Sequence, residues 1–223
     1  DQAFQVAQLR QVVAPMQGAV AALLARLEQA GPRLDLEAEM TRVTADVIVR
    51  TILGRPLPAA EAGEILAAFQ RYQRRAGQAL VLRLLQVPPA LLRRYLAHHA
   101  RPIRRWIGAV IEERLAAGAG APTDQAPPRD LLQALLEARD PQDGSGFSAE
   151  ELLDQVCVLF LAGHETSASA LGMACYLLAR FPWAQERLRQ EVDGALGGDP
   201  RPLGFEDLRL LPYGTAVFNE TLR

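Results

Sequence analysis

A long segment before Pro182 constrains the fold most, because from Glu150 onward it contains no proline. It predicts one helix of about 30 residues and roughly 45–50 Å. Ser148 and Glu151 have the spacing of a capping box, which marks where this helix begins. Its middle, residues 156–163, is apolar on every side, and this pattern predicts a helix that is buried all round.

The remaining segments also carry helical patterns. Apolar residues recur at helical spacing, and Pro182 and Pro212 each open a further helix. Loops are predicted at residues 118–128 and 140–146, and no strand pattern is present. We therefore predict an all-α fold in one domain, residues 1–223, which the family resemblance given below implies is a partial one. Besides the helices already named, the predicted ones cover residues 4–28, 36–53, 60–75, 102–117 and 130–138.

Charge and cysteine content exclude several classes of protein. A formal net charge of −2 and a pI of about 6.0 indicate no general affinity for nucleic acid. Cys157 and Cys175 would lie about 27 Å apart on one straight helix, so we expect no disulfide and a reducing compartment. The longest uncharged apolar run, residues 156–163, is too short to span a bilayer. No membrane association is indicated, and a cytoplasmic location is expected.

A glycine, an acid and an alcohol interrupt the long apolar helix. Gly163 costs about 1 kcal/mol against alanine, which close approach of a ligand or another backbone would explain. Glu165 and Thr166 follow where the preceding turns predict burial, and an unpaired buried polar group costs about 1–3 kcal/mol. Thr166 can donate back to the carbonyl of Ala162 and loosen the turn. The pattern indicates a proton path into a dry pocket; the alternative is a polar spot against a neighbouring helix, with Gly163 there for packing.

Residues 162–167, Ala-Gly-His-Glu-Thr-Ser, resemble the central-helix signature of the cytochrome P-450 haem-thiolate monooxygenases. That signature reads Ala/Gly, Gly, any residue, Asp/Glu, Thr, Thr/Ser. The resemblance implies an all-α portion of that fold, in which Ala162 and Gly163 lie against the haem. It also implies that Glu165 relays protons and that Thr166 stabilises the oxygen being activated.

A second pattern resembles the same family. Leu211-Pro-Tyr precedes Glu220 and Arg223, which are three residues apart and face each other along a predicted helix. In the family this Glu-x-x-Arg pair does no chemistry, and it anchors the segment that leads to the haem-binding loop. The alternative is a surface ion pair of little energetic weight.

The haem-ligand loop of the family, Phe-x-x-Gly-x-x-x-Cys-x-Gly, does not occur in this sequence. Neither Cys157 nor Cys175 has those neighbours, so no residue is assigned as a metal ligand. We therefore expect an internal fragment of a longer monooxygenase, one that by itself should not hold haem b stably or turn over. His164 falls at the unconstrained position of the signature, and we expect an ordinary packed or partly exposed side chain.

The resemblance also implies what the complete enzyme uses. It would take haem b iron, O2 and two electrons from a redox partner, a ferredoxin or a flavin reductase. One oxygen atom would enter a C–H bond of a small apolar organic substrate. The Gly-His-Glu-Thr-Ser variant is similar to branches that include fatty-acid hydroxylases.

Two other interpretations stay open. The chain could be a haem-free interaction or remnant protein of the same fold. It could also be an all-helical ligand-binding or regulatory domain with an arginine-rich partner surface, although arginines at helical spacing more commonly form a solvated face. The arginines of that surface are Arg71, Arg74, Arg75, Arg93, Arg94, Arg101, Arg104 and Arg105.

Overall fold

The computed structural model describes residues 10, 12–120, 130–199 and 201–223. Most of the described residues are helical, and no described residue lies in a β-strand. The predicted all-α fold is therefore confirmed. The elements in chain order are α1 (Val13–Gln29), α2 (Leu36–Leu53), α3 (Ala59–Leu84), α4 (Pro89–Gly120), α5 (Leu131–Glu137), α6 (Ala149–Arg180), α7 (Pro182–Leu196), a 3₁₀ helix (Phe205–Leu210) and α8 (Pro212–Thr221).

Several helix ends lie where local signals predict them. α7 and α8 begin at Pro182 and Pro212, which suits a residue whose missing N–H would be unpaired in a first turn anyway. α2 ends before Gly54, whose φ is 68°. A Cβ at that position would lie 2.5 Å from Oδ2 of Asp130, so both the backbone conformation and the space require glycine.

Two predicted helix boundaries are wrong. α3 continues beyond residue 75 to Leu84, and α4 begins at Pro89 instead of Pro102. Pro102 lies inside α4, where proline costs about 3 kcal/mol. Ile103 and Ile107, which are 3% and 0% exposed, supply packing that offsets this cost. Residues 118–120 of the loop predicted at 118–128 belong to α4 instead. Residues 4–9 of the first predicted helix and residues 121–128 of that loop lie outside the described residues.

The chain forms two compact units. One comprises Asp1–Thr51 and Gly163–Arg223, and the other comprises Ile52–Ala162. The boundary at Gly163 falls within α6 and not in a linker. The expectation of a single partial domain therefore stays a prediction.

In the first unit, α1, α2 and the second half of α6 share an apolar core. Arg26 of α1 donates to Glu39 of α2 at 2.9 Å, and Gln17 of α1 donates to the carbonyl of Leu203 at 2.8 Å. Hydrogen bonds thus fix α1 at both ends of this core. Its members are Ala19, Met40, Val43 and Ala168, with Leu23, Leu36, Val47 and Cys175 packed against them.

In the second unit, aromatic stacking and a buried ion pair join the helices. Phe69 of α3 stacks on Phe160 of α6, with ring centroids 4.1 Å apart. Arg114 of α4 binds the carboxylate of Asp130 at 2.7 and 3.1 Å and the carbonyl of Leu53 at 3.0 Å. Asp130 also caps α5 by accepting from its third backbone N–H.

Candidate functional site

α6 carries the predicted signature. The backbone N–H of Ser148 donates to Glu151 Oε2 at 2.9 Å, and the N–H of Glu151 donates to Ser148 Oγ at 3.3 Å, which confirms the capping box. The helix is continuous from Ala149 to Arg180. The predicted opening of the turn that contains Thr166 is therefore wrong, because an unbroken helix accommodates the glycine and both polar residues.

Residues 156–163 are not buried all round, so this prediction is also wrong. Val156 and Phe160 are each 1% exposed, whereas Val158 is 60% exposed and Ala162 is exposed as well. Residues four apart lie on the same face of a helix. One apolar face of α6 is therefore open to solvent in this chain.

Glu165 and Thr166 are exposed, which corrects their predicted burial. They lie on the same side of α6 as Ala162, because residues three and four apart share a helix face. His164 lies on the opposite side and is only 1% exposed. The polar pair is exposed because the core contacts the other side of the helix. The expectation that His164 is a packed side chain is confirmed.

Gly163 contacts α2. A Cβ at this position would lie 2.6 Å from Cδ1 of Ile48 and 3.2 Å from its Cγ1. The glycine therefore admits a side chain from a neighbouring helix, which supports the packing explanation. The role of Gly163 beside a haem stays a prediction.

Thr44 is a second contact between α2 and the signature, and the sequence patterns did not identify it. Its side chain is 4% exposed, and its Oγ1 lies 2.8 Å from the carbonyl oxygen of His164. Met40, Thr44 and Ile48 follow one another at intervals of four, so they share one face of α2. A threonine on the apolar face of a predicted helix is the signal that could have revealed this contact.

Glu191 of α7 fixes the start of α8. Its Oε1 accepts from the backbone N–H of Tyr213 at 2.7 Å, and its Oε2 accepts from that of Gly214 at 2.8 Å. A carboxylate is favourable at a helix N-terminus, and the side chain of Leu211, the residue before α8, contains no acceptor. The guanidinium of Arg187 also lies 4.3 Å from the centroid of the Tyr213 ring. The position of α8 therefore depends on α7.

Glu220 and Arg223 form the predicted pair. Arg223 Nη1 lies 3.4 Å from Glu220 Oε2, with side chains that are 80% and 68% exposed. An exposed pair of this kind contributes about 0–1 kcal/mol. Both residues line a cavity of about 610 Å³ between the end of α6, the start of α7 and α8. Its apolar walls include Leu177, Leu178, Phe181, Trp183, Ala216 and Val217.

Potential metal-ligand side chains are scattered among the described residues. No three His, Cys, Asp or Glu side chains among them are grouped so that they could hold a metal ion. Cys157 and Cys175 are both free. Burial raises the pKa of Cys157 to about 11, so this residue is a neutral thiol at pH 7, whereas iron binds the thiolate. Binding to iron would therefore require the Cys157 thiol to lose its proton.

The arginines of the alternative partner surface lie on α3 and α4. All of them are exposed except Arg104, which is half-buried and pairs with Asp154 of α6. Arg75 donates to Gln78 on its own helix at 2.9 Å. This arrangement supports a solvated face.

Length and composition alone would allow α6 to cross a membrane. The mean hydropathy of its most apolar window is 1.3, and 33% of that window is buried. This stretch of α6 is longer than the uncharged run of residues 156–163. Central helices of soluble folds also meet it, so it is weak support for a membrane span.

Known proteins match almost the whole chain. The cytochrome P450 family model matches residues 2–223. Cyclooctat-9-en-7-ol 5-monooxygenase of Streptomyces melanosporofaciens is 33% identical over 198 residues, which are 86% of this chain and 40% of that protein. A bifunctional cytochrome P450/NADPH–P450 reductase of Aspergillus oryzae is 42% identical over 102 residues, which are 46% of this chain and 9% of that protein.

The fold matches solved structures as well. The heme domain of cytochrome P450DA superposes with a TM-score of 0.77 and 26% identity, over 99% of this chain and 47% of that one. The chain thus spans less than half the length of these relatives. Because the family model and the superposition both cover nearly all of the sequence, the chain belongs to the cytochrome P450 family.

Proposed function

We propose that this chain is the helical part of a haem-thiolate monooxygenase in which α6 lines the oxygen-binding side of the haem. When bound, haem iron would activate O2 so that one oxygen atom enters a C–H bond of an organic substrate. This chain would contribute one face of α6, where Glu165 holds or passes a proton at its carboxylate and Thr166 does so at its hydroxyl. Family membership supports the proposal.

The shared face of Ala162, Glu165 and Thr166 carries this proposal. Ala162 is small enough for a flat ligand to approach the helix closely, and Thr166 is one turn further along. Val158 and Met173, 60% and 48% exposed, lie on the same face. Apolar groups on both sides of an acid and an alcohol would exclude bulk water while those two groups handle protons.

We propose that the iron ligand comes from another part of a longer protein. We propose that the chain is an internal part of a longer enzyme, and its coverage of only 40% and 47% of two relatives supports this. Glu220 and Arg223, at the edge of the apolar cavity, would anchor the segment that leads to the ligand loop.

The names of the relatives support a proposal for the class of redox partner and the class of substrate. Several relatives are named as fusions of a cytochrome P450 with an NADPH–P450 reductase. We propose that this enzyme, too, takes electrons from a flavin reductase, with a ferredoxin as the alternative, in the cytoplasm. The substrate is proposed to be a small apolar organic molecule, either fatty-acid-like or similar to the cyclooctat-9-en-7-ol named for one relative.

The first test is a carbon monoxide difference spectrum of the reduced full-length protein. We expect the absorption band of a thiolate-ligated haem. A protein that folds but shows no such band would instead support the haem-free remnant, which is the alternative favoured if no ligand cysteine exists anywhere in the protein.

The second test replaces Thr166 in the full-length protein. Thr166→Ala should release a larger share of the consumed electrons as hydrogen peroxide, because the hydroxyl that handles the proton is lost. Thr166→Ser keeps a hydroxyl and should retain most of the coupling between electron use and product. Unchanged coupling in Thr166→Ala would count against the role given to Thr166.

A further inference from the structure

We infer that Thr44 is a positioning residue: its hydroxyl, together with the side chain of Ile48, fixes the rotation of α6 that presents Glu165 and Thr166. This inference rests on the proposed function of that pair. No sequence pattern pointed to α2 as part of the site, and the contact spans 120 positions in the chain.

The Thr44 hydroxyl is buried and has a choice of acceptors. Its Oγ1 lies 2.8 Å from the carbonyl oxygen of His164 and 2.9 Å from that of Met40. A hydroxyl has only one proton to donate. When the proton goes to Met40, or to the Thr41 carbonyl at 3.2 Å, the bond stays within α2, and when it goes to His164 it joins α2 to the signature turn. Only the second arrangement holds α6.

The acceptor lies at the centre of the signature. In an α-helix the carbonyl of residue 164 accepts from the backbone N–H of Ala168, which is 7% exposed. A second donor from Thr44 makes this turn harder to open. The side chain of Ile48 also packs against Gly163, where a Cβ would lie 2.6 Å from its Cδ1, so this contact favours the rotation of α6 in which the glycine faces α2.

The rotation of α6 about its own axis determines the direction in which Glu165 and Thr166 point. Successive residues of an α-helix are about 100° apart around its axis, since a turn contains 3.6 residues. With Gly163 and His164 held against α2, Glu165 and Thr166 emerge on the other side of α6. A turn that opens or rotates would move both groups by several ångströms without removing either of them.

The experiment compares three variants of the full-length protein. Thr44→Val keeps the shape of the side chain but removes the donor, and Thr44→Ser keeps the donor. Thr51→Val is the matched control on the same helix, because the buried Oγ1 of Thr51 has no hydrogen-bond partner among the described residues. Hydrogen exchange of backbone amides and the yield of hydrogen peroxide per electron pair are measured for each.

In Thr44→Val, amides within residues 163–170 should exchange about three- to tenfold faster, the change expected from losing one ordinary hydrogen bond. Amides of α7 and α8 should be unaffected, which separates a local effect from general destabilisation. Peroxide yield should rise in Thr44→Val and stay at the wild-type level in Thr44→Ser and Thr51→Val.

Two results would overturn the inference. One is unchanged exchange within residues 163–170 in Thr44→Val, and the other is a rise in peroxide in Thr44→Val that Thr44→Ser fails to suppress. Hydrogen exchange does not require bound haem, so it tests the contact even if the difference spectrum disproves the monooxygenase. If Thr166→Ala leaves coupling unchanged while exchange accelerates in Thr44→Val, the proposed proton role fails and the tether between the helices stands.

Discussion

A Cβ on Gly163 would lie 2.6 Å from Cδ1 of Ile48, closer than two carbon atoms pack. The absence of a side chain on Gly163 in α6 therefore leaves room for the Cδ1 methyl group of Ile48 in α2. The clashing atom is the end of a flexible side chain, which can rotate away. The glycine is thus required by one neighbouring rotamer and not by its own backbone.

This relationship predicts that the two positions are energetically coupled. Gly163→Ala alone should change the free energy of unfolding little, because a helix propensity gain of about 1 kcal/mol opposes a rotamer cost of about 0.5–1.5 kcal/mol. In an Ile48→Val background, which lacks Cδ1 but keeps the Cγ1 at 3.2 Å, the same replacement should stabilise by up to about 1 kcal/mol. Urea unfolding of the four proteins of this double-mutant cycle measures the coupling, and additive effects would contradict the prediction.

The cap between α7 and α8 predicts a second stability effect. Glu191→Ala removes a carboxylate that accepts from two backbone N–H groups, so it should cost about 1–2 kcal/mol and speed exchange of the amides at the start of α8. Glu186→Ala is the control, since Glu186 makes an exposed pair with Arg189 on its own helix. That change should cost no more than about 0.5 kcal/mol. Equal losses in the two variants would show that the cap contributes nothing special.

The hydrogen bonds of the Asp207 carboxylate predict how the stability of the protein depends on pH. The Arg201 guanidinium, at 2.6 and 2.9 Å, and then the Gly204 N–H, at 2.7 Å, hold the pKa of Asp207 well below its usual range. A group with a lowered folded pKa stabilises the protein above its unfolded pKa of about 4, and this contribution disappears as the pH falls towards the folded pKa.

Asp207→Asn should therefore lower the melting temperature at pH 7, with a difference from wild type that shrinks as the pH falls below about 4. Asp199→Asn is the control, because Asp199 lies 3.8 Å from Arg201 and its side chain is 64% exposed. Melting curves at pH 7 and pH 3 make the comparison. A constant difference between wild type and Asp207→Asn at the two pH values would contradict the assignment.

Cys157 predicts a difference in thiol reactivity. With its pKa raised to about 11 by burial, its thiolate fraction at pH 8 is about 100-fold lower than that of an unfolded cysteine. In a Cys175→Ala protein, labelling by a thiol reagent should be slow under native conditions and fast in urea. Cys157→Ala in the full-length protein should keep the thiolate–haem band. Loss of that band would mean that Cys157 does bind iron.

Local signals predicted the helix ends well. Pro182, Pro212, Gly54 and the Ser148–Glu151 capping box each act within about one turn, so the sequence alone contains the information. The start of α4 was wrongly predicted at Pro102. The free-energy cost of a proline inside α4 is offset by packing against residues that are distant in the sequence, which no local pattern encodes.

The site was predicted in part. The signature residues were found because they are contiguous, but which side of α6 is buried depends on helices far away in the chain. Residues 156–163 are apolar on all sides, so their periodicity could not show that Val158 and Ala162 face outward. Thr44 escaped detection for the same reason.

α8 has ten residues. An isolated helix shorter than about 12–15 residues is only marginally stable in water. It also lacks an acceptor of its own for its first N–H groups, which depend on Glu191. A synthetic peptide of residues 211–223 would therefore be a random coil. Glu220 and Arg223 are therefore held within one helical turn of each other only after α7 has folded.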